Sequence, residues 1–183
     1  PYVGDASNYY GFWDYWVVKL NKDDGHIEWD FILGSSRAEF SSSIIATTDG
    51  GCLAGGSSSS APDGNVACWD ESGNVITQGV LLKLNAQGEV EWQKCYGSSQ
   101  NDGVARLLET DDGYIIGAGT QGEDQDLEGA GYHPGYGHTG NRLDDIWIYK
   151  IDKQGNLIWS KCFGGSNDEY PCKLFQTSEG EIV

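Results

Sequence analysis

The feature that most constrains this chain is a threefold internal repeat. Three tryptophans stand at equivalent positions, 63 and 67 residues apart, and three threonines repeat the same two spacings. The markers are Trp29, Trp92 and Trp159, with Thr47, Thr110 and Thr177. A chain assembled from copies of one segment folds into copies of one structural unit, which pack on one another to cover their apolar faces.

Each repeat contains four short runs typical of β-strands, separated by turns rich in Asn, Asp and Gly. In the first repeat the runs are 16–20, 26–32, 42–48 and 52–57, and the equivalents follow 63–67 residues later. The composition agrees, since 27 Gly, no Met and 12% aromatic residues favour strands and turns over helices.

Four antiparallel strands in a repeated unit are typical of β-propeller blades. The sequence therefore predicts an all-β fold of three four-stranded antiparallel blades, forming part of a larger propeller. The predicted blades span about 14–57, 79–121 and 145–183, and inserts at 58–78 and 122–144 lie between them.

Two recurring features predict how the blades pack. Small residues recur at 54–56 and 117–119 in the fourth strand, where we expect neighbouring backbone to approach closely. The recurring tryptophan has the phase of an interior position, because Ile27, Trp29 and Phe31 share one strand face. We therefore expect this ring to pack between adjacent sheets rather than to stack on a ligand.

The net charge bears on the classes of partner. The chain carries 11 Lys and Arg against 28 Asp and Glu, a formal charge of −17. Because binding to phosphate backbones and acidic lipids depends on basic side chains, we expect no nucleic-acid partner. The longest apolar stretches are far shorter than a membrane helix, so we also expect no membrane insertion.

The reactive side chains form no recognisable catalytic pattern. The odd number of cysteines, five, leaves at least one unpaired. Cys95 and Cys162 occupy equivalent positions in successive blades, which we expect to be too far apart to bond. Cys172 is expected to be a small buried side chain. His133 and His138 share one Gly-rich insert and could present two imidazoles to a metal, or simply decorate a surface loop. We predict no catalytic residues and no organic cofactor site.

The inserts carry oxygen-bearing side chains at alternating positions. The second insert reads Asp124, Asp126 and Glu128 followed by Gly129, similar to the opening of a calcium loop, although a final bidentate Glu is missing. Asp63 and Asn65 form a poorer set in the first insert. These five residues are the predicted Ca²⁺ ligands, and a solvated acidic loop is the alternative.

The repeats resemble a family of secreted repeat propellers common in Bacteroidota, whose blades read W-V-x-K-L-D-x-x-G-x-x-x-W-x-K-C-x-G-G-S-x-x-D. A weaker similarity links LNAQGEVEW and IDKQGNLIW to the turn by which blades of quinoprotein propellers dock on one another. The family matches are DYWVVKL at 14–20, KCYGS at 94–98, DIW at 145–147 and KCFGGSND at 161–168.

The resemblance implies the propeller fold and says little about activity. We expect a non-catalytic extracellular or cell-surface binding or scaffold module, with a protein or glycan bound at the inserts. The ring would be closed by further blades of a longer chain or by a second copy. The alternative is part of a propeller enzyme, quinoprotein-like or glycan-cleaving, with its active site in blades outside this sequence.

Overall fold

A computed structural model describes residues 5–59, 63–68, 76–135 and 144–183. In these ranges the chain forms ten β-strands and one turn of 3₁₀ helix, which confirms the all-β prediction. No helix in the described ranges is long and apolar enough to cross a membrane. The elements are β1 (Tyr15–Leu20), β2 (Ile27–Leu33), β3 (Glu39–Ala46), β4 (Cys52–Ser58), β5 (Gln78–Leu84), β6 (Val90–Tyr96), β7 (Asp102–Thr110), β8 (Gly113–Thr120), the 3₁₀ turn Gln125–Leu127, β9 (Asp145–Asp152) and β10 (Leu157–Phe163).

The strands form three antiparallel sheets. Strands β3-β4-β5-β6 make one four-stranded sheet, β7-β8-β9-β10 make another, and β1 pairs only with β2 among the described residues. The predicted strand positions in the first repeat agree with β1 to β4 to within about three residues. Within the described ranges, the residues equivalent to β3 and β4 in the third repeat form only a bridge between Gln176 and Ile182.

The predicted grouping of strands into blades is wrong by half a repeat. Each four-stranded sheet joins the last two strands of one repeat to the first two of the next, so β4 pairs with β5 in register from Cys52↔Leu84 to Ser58↔Gln78. A repeat defines a length but not a starting point, because any window of that length repeats equally well. The inserts 58–78 and 122–144 therefore connect the middle strands of single sheets instead of separating blades.

Strand β4 is buried on both faces and therefore needs a hydrogen-bonded strand along each edge. All but one of its residues are buried, and its alternate side chains face two different neighbours. Ala54 contributes to a core with Tyr15 of β1, whereas Leu53 contributes to a second core with Val104 of β7. An edge strand so covered would leave buried backbone groups unpaired. The sheets thus stack in series, with β1–β2 on one side of β4 and β7 on the other.

The small residues of β4 allow this stacking. A side chain at Gly55 would come within 2.7 Å of Val104 Cγ1, and one at Gly56 would overlap the Tyr15 hydroxyl. The predicted close approach is confirmed at these two positions. Side chains approach Gly55, whereas both the Tyr15 hydroxyl and the backbone oxygen of Phe40 approach Gly56. At Gly119 of β8, the equivalent of Gly56, an added Cβ atom would have nothing within 4 Å.

Two of the three recurring tryptophans, Trp29 and Trp92, join successive sheets, as predicted, whereas Trp159 is 40% exposed. The Trp29 indole N–H donates to Ala86 O at 3.1 Å, and the Trp92 indole N–H donates to Lys153 O at 3.0 Å. Each ring lies over a turn whose glycine has a positive φ, Gly88 at 81° and Gly155 at 76°. A side chain at Gly88 would lie 2.6 Å from the Trp29 ring, so the turn requires glycine both for its backbone and for the docked indole.

Candidate binding surface at the two inserts

The two inserts are fastened to the sheets in the same way. The described part of each insert lies beside the loop that leads from the last strand of one sheet to the first strand of the next. This loop is 34–36 for the first insert and 97–99 for the second. Tight loops of this kind expose successive backbone N–H groups that need acceptors. The predicted metal-ligating side chains supply those acceptors.

In the first insert, Asp63 and Asn65 bind the loop 34–36. Asp63 Oδ1 accepts from Ser36 N at 2.8 Å, and Asn65 Oδ1 accepts from Gly34 N at 2.9 Å. The Asn65 side chain also donates to Ile32 O at 2.8 Å, at the end of β2. The hydrogen bond from Ser36 N lowers the pKa of Asp63, because it favours the ionised carboxylate.

In the second insert, Asp124 and Asp126 make the same pair of contacts with the loop 97–99. Asp124 Oδ1 accepts from Ser99 N at 2.8 Å, and Asp126 Oδ2 accepts from Gly97 N at 3.1 Å. Burial raises the pKa of Asp126, although the Gly97 hydrogen bond opposes that shift. Glu128 is exposed and follows the 3₁₀ turn. The alternating spacing seen in the sequence therefore corresponds to alternate N–H groups of one loop, those of Gly97 and Ser99.

The structure places the two predicted ligand sets at two separate loops, Asp63 and Asn65 at 34–36 and Asp124 and Asp126 at 97–99. In the described ranges, no group of three or more His, Cys, Asp and Glu side chains has a geometry that could hold a metal ion. Of the two histidines in the second insert, His133 donates its backbone N–H to the buried Asp145 at 2.7 Å, with its ring Nδ1 at 3.0 Å from the same oxygen. His138 lies outside the described residues. Calcium binding stays a prediction.

A second set of carboxylates, which the sequence reasoning missed, holds the same loops from the inside. Glu39 is 2% exposed and accepts from Ser35 N and Ser35 Oγ, each at 2.8 Å, and from Ser58 Oγ of β4 at 3.0 Å. Asp102 takes the equivalent place in the next sheet. It accepts from Ser98 N at 2.6 Å, from Ser98 Oγ at 2.9 Å and from the Thr120 hydroxyl of β8.

Burial raises the pKa of Asp102 to about 6, and the nearby charge of Asp124 acts in the same direction. The signal in the sequence was the recurring G-S-S-x-x-E/D, present at 34–39 and 97–102. In the third repeat, Glu169 accepts from Gly165 N at 2.9 Å. The loop is thus held between an inner carboxylate and an outer insert.

The inserts are also attached to the outermost strand of each sheet. A disulfide between Cys68 and Cys95 ties the first insert to β6. At the equivalent point of the second insert, Cys162 N of β10 donates to Ala130 O at 2.8 Å, while the buried Leu127 packs in the core. Cys95 and Cys162 do not bond to each other, as predicted.

The three remaining cysteines are free thiols, namely Cys52, Cys162 and Cys172. Burial raises the pKa of Cys162 to about 12 and also raises that of Cys52. A raised pKa lowers the fraction of reactive thiolate. Cys172 is exposed, so the prediction of a buried side chain is wrong there, because no further strand of the described chain covers its segment.

A separate charged cavity of about 460 Å³ lies where the turns of the two four-stranded sheets meet. Its basic groups are paired: Lys83 contacts Asp49 and Glu91, each at 2.8 Å. Lys153 contacts Glu109 at 2.7 Å and lies 4.7 Å from the centre of the Tyr114 ring. These ion pairs connect neighbouring strands and sheets, which gives the cavity a structural role.

Comparison with known proteins does not assign the chain to a family. No family model matches the chain, and a search of curated proteins finds no significant relative.

Proposed function

We propose that this chain is a non-catalytic binding or scaffold module of an extracellular or cell-surface protein, with its inserts as the parts that face a partner. The observation that carries the proposal is the equivalent fastening of both inserts. Asp63 and Asn65 hold one insert, and Asp124 and Asp126 hold the other, on equivalent loop N–H groups. A loop ordered before binding loses less conformational entropy when a partner arrives.

The proposed architecture is that of β-propeller blades. Supporting it, the sheets stack face to face in sequence order, and β7 lies against β3, β4 and β5 of the preceding sheet. The indole-to-turn contacts of Trp29 and Trp92 repeat between each sheet and the next. In such an array the connections at one end of the sheets form a continuous surface, on which a protein or glycan partner would bind.

The proposed location outside the cell rests on the disulfide between Cys68 and Cys95. Disulfides persist in oxidising compartments and are rare in the cytosol. The two buried free thiols, Cys52 and Cys162, have raised pKa values, which disfavours exchange with that disulfide.

A panel of immobilised glycans and extracellular proteins tests the proposal. The full chain is expected to bind at least one member, and Asp124→Ala to weaken that binding about tenfold by releasing the second insert from its loop. Asp111→Ala, a change in an exposed strand turn, is the matched control and is expected to leave binding unchanged.

Two results would overturn the proposal. One is the absence of binding to every member of the panel. The other is turnover of a glycan or of a redox dye by the purified chain, which would favour a propeller enzyme instead.

A further inference from the structure

A cavity of about 430 Å³ lies where the ends of the two inserts meet. It is lined by Thr77, near the end of the first insert, and by Gln121 and Asp144, which precede and end the second. Asp102 N, at the start of β7, donates to Thr77 O at 2.8 Å, and Glu169 N donates to Asp144 O at the same distance. This cavity, the insert-end pocket, therefore belongs to the surface that the proposed function assigns to a partner.

A glycine in the interior of a strand keeps the pocket open. Gly119 of β8 pairs with Gly103 of β7 on one side and with Ile146 of β9 on the other. Its φ lies outside the left-handed region, and a Cβ atom added there would meet nothing within 4 Å among the described residues. Neither the backbone nor the packing of the described chain requires glycine at this position. Glycine in a strand interior weakens the strand and often marks the close approach of a ligand.

One wall of the pocket is formed by Tyr170 and Pro171. The segment 170–174 packs on β8 much as β7 packs on β4. A Cβ atom at Gly117 would lie 3.3 Å from Pro171 Cβ, and one at Gly55 would lie 2.7 Å from Val104 Cγ1. The pocket is thus enclosed between a sheet and the segment that packs against that sheet.

Two side-chain amides of the pocket are held in a row by hydrogen bonds. Asn101 Oδ1 accepts from Thr77 N at 3.0 Å, and Asn101 Nδ2 donates to Gln121 Oε1 at 3.3 Å. The backbone supports the same arrangement, because Gln121 N donates to Asn101 O at 3.0 Å. Side chains that are ordered before a ligand arrives lose less conformational entropy when it binds.

A guanidinium and an aromatic ring complete the lining. Arg106 donates through Nε to Cys172 O and through Nη1 to Ala105 O, which fixes the plane of its guanidinium. A hydrogen bond to the Asp144 carboxylate holds the Tyr170 hydroxyl and raises the pKa of Tyr170 to about 12. The ring of Tyr170 is therefore anchored at its polar end.

This combination of groups fits a neutral sugar. A pyranose ring has C–H faces that pack on an aromatic ring, and hydroxyls that both donate and accept hydrogen bonds. The two amides can do both, the guanidinium donates, and the carboxylate of Asp144 accepts. Charge disfavours an acidic ligand, because Arg106 shares the pocket with Asp102 and Asp144 in a chain of net charge −17.

We propose that the insert-end pocket binds a neutral monosaccharide unit of a glycan, with the sugar ring against Tyr170 and its hydroxyls on the amides of Asn101 and Gln121. The cavity volume of about 430 Å³ lies within the range of roughly 300–1,000 Å³ that is usual for small-molecule sites. The inference rests on the proposed function and names the class of partner, a glycan rather than a protein.

Titration of the full chain with the methyl glycosides of glucose, galactose and mannose, followed by NMR of the protein, tests the inference. At least one is expected to bind with a Kd of about 1 mM, as for a small ligand with few contacts. The methyl uronide of the same sugar is expected to bind at least about tenfold more weakly. Binding of none of the three, or tighter binding of the uronide, would overturn the inference. A protein partner found on the binding panel would then still support the proposed function.

Gly119→Val fills the pocket from the strand. The added Cβ atom meets nothing in the described chain, and valine favours strands, so the variant is expected to melt at or above the native temperature. It is also expected to lose glycoside binding. Ser41→Val is the matched control, because it places the same side chain at an exposed position of β3 and is expected to keep binding. A lower melting temperature of Gly119→Val, binding retained by it, or binding lost by the control would overturn the inference.

Two substitutions at one residue test the aromatic wall separately. Tyr170→Ala removes the ring and is expected to weaken glycoside binding by about tenfold or more. Tyr170→Phe keeps the ring and loses only the hydrogen bond to Asp144, so it is expected to bind within about threefold of the native chain. Native affinity in Tyr170→Ala, or equal losses in both variants, would contradict the placement of the sugar on this ring.

Discussion

The buried carboxyl of Asp102 makes stability depend on pH in a direction opposite to that of an ordinary surface carboxylate. The side chain is 4% exposed, and burial raises its pKa from 3.8 to about 6. The folded protein therefore holds a proton between about pH 4 and pH 6 that the unfolded chain has released. Because the folded state then binds more protons, this group's contribution to the free energy of unfolding falls as pH rises through that window.

The size of the effect follows from the shift. One pKa unit corresponds to about 1.4 kcal/mol, so a shift of about two units lowers stability by about 3 kcal/mol between pH 4 and pH 7. Asp102→Asn removes the titration while keeping an oxygen that accepts from Ser98 N. The free energy of unfolding of the variant minus that of the native chain is therefore expected to rise by up to about 3 kcal/mol from pH 4 to pH 7.

Urea unfolding followed by tryptophan fluorescence at pH 4, 5, 6 and 7 measures this difference. Asp112→Asn is the matched control, because a hydrogen bond from Lys150 at 2.7 Å lowers the pKa of that exposed carboxylate. Its variant is expected to differ from the native chain by a nearly constant amount from pH 4 to pH 7, because the window of a lowered pKa lies below about pH 4. A difference for Asp102→Asn that stays flat from pH 4 to pH 7, or that follows the Asp112 trend, would refute the reasoning.

Three further outcomes are expected. Several millimolar CaCl₂ should raise the melting temperature relative to chelator at matched ionic strength. Asp126→Ala should abolish this rise and Asp112→Ala should keep it. Equal melting temperatures with CaCl₂ and with chelator would contradict the calcium prediction. Trp92→Phe should cost about 1–2 kcal/mol in urea unfolding by losing the 3.0 Å bond to Lys153 O, more than Trp16→Phe, which loses a solvent-exposed bond to Asp30. Alkylation of the denatured protein should label three thiols without reductant and five with it, and any other ratio contradicts the single disulfide.

The strands and the inter-sheet tryptophans were predictable from the sequence because both are local patterns that recur. The alternation of Ile27, Trp29 and Phe31 expresses the pleat of a single strand. The spacing of the turn glycine and tryptophan is similar in each copy. The indole contacts of Trp29 and Trp92 follow from that spacing once sheets stack in order.

The grouping of strands and the inner carboxylates could not be predicted in the same way. A repeat length does not show at which strand a sheet begins, so it does not predict that β4 pairs with β5 across a long insert. An acidic residue after Gly-Ser-Ser resembles a solvated turn residue. The partners of Glu39 and Asp102, Ser58 and Thr120, lie on the neighbouring strand and are distant in the sequence. The second insert has no cysteine in the place of Cys68, so the pairing of Cys68 with Cys95 had no repeated signal.

The half-repeat offset between the sheets and the sequence repeats couples the unfolding of neighbouring repeats. In solenoids whose units are self-contained, one repeat can melt while its neighbours persist. Here each complete sheet draws strands from two repeats, so the loss of one repeat removes half of each sheet to which it contributes. Unfolding is thereby coupled along the chain by backbone hydrogen bonds as well as by side-chain packing. The chain divides into independently paired sheets at the loops 34–38 and 97–101, and not at the boundaries of the sequence repeat.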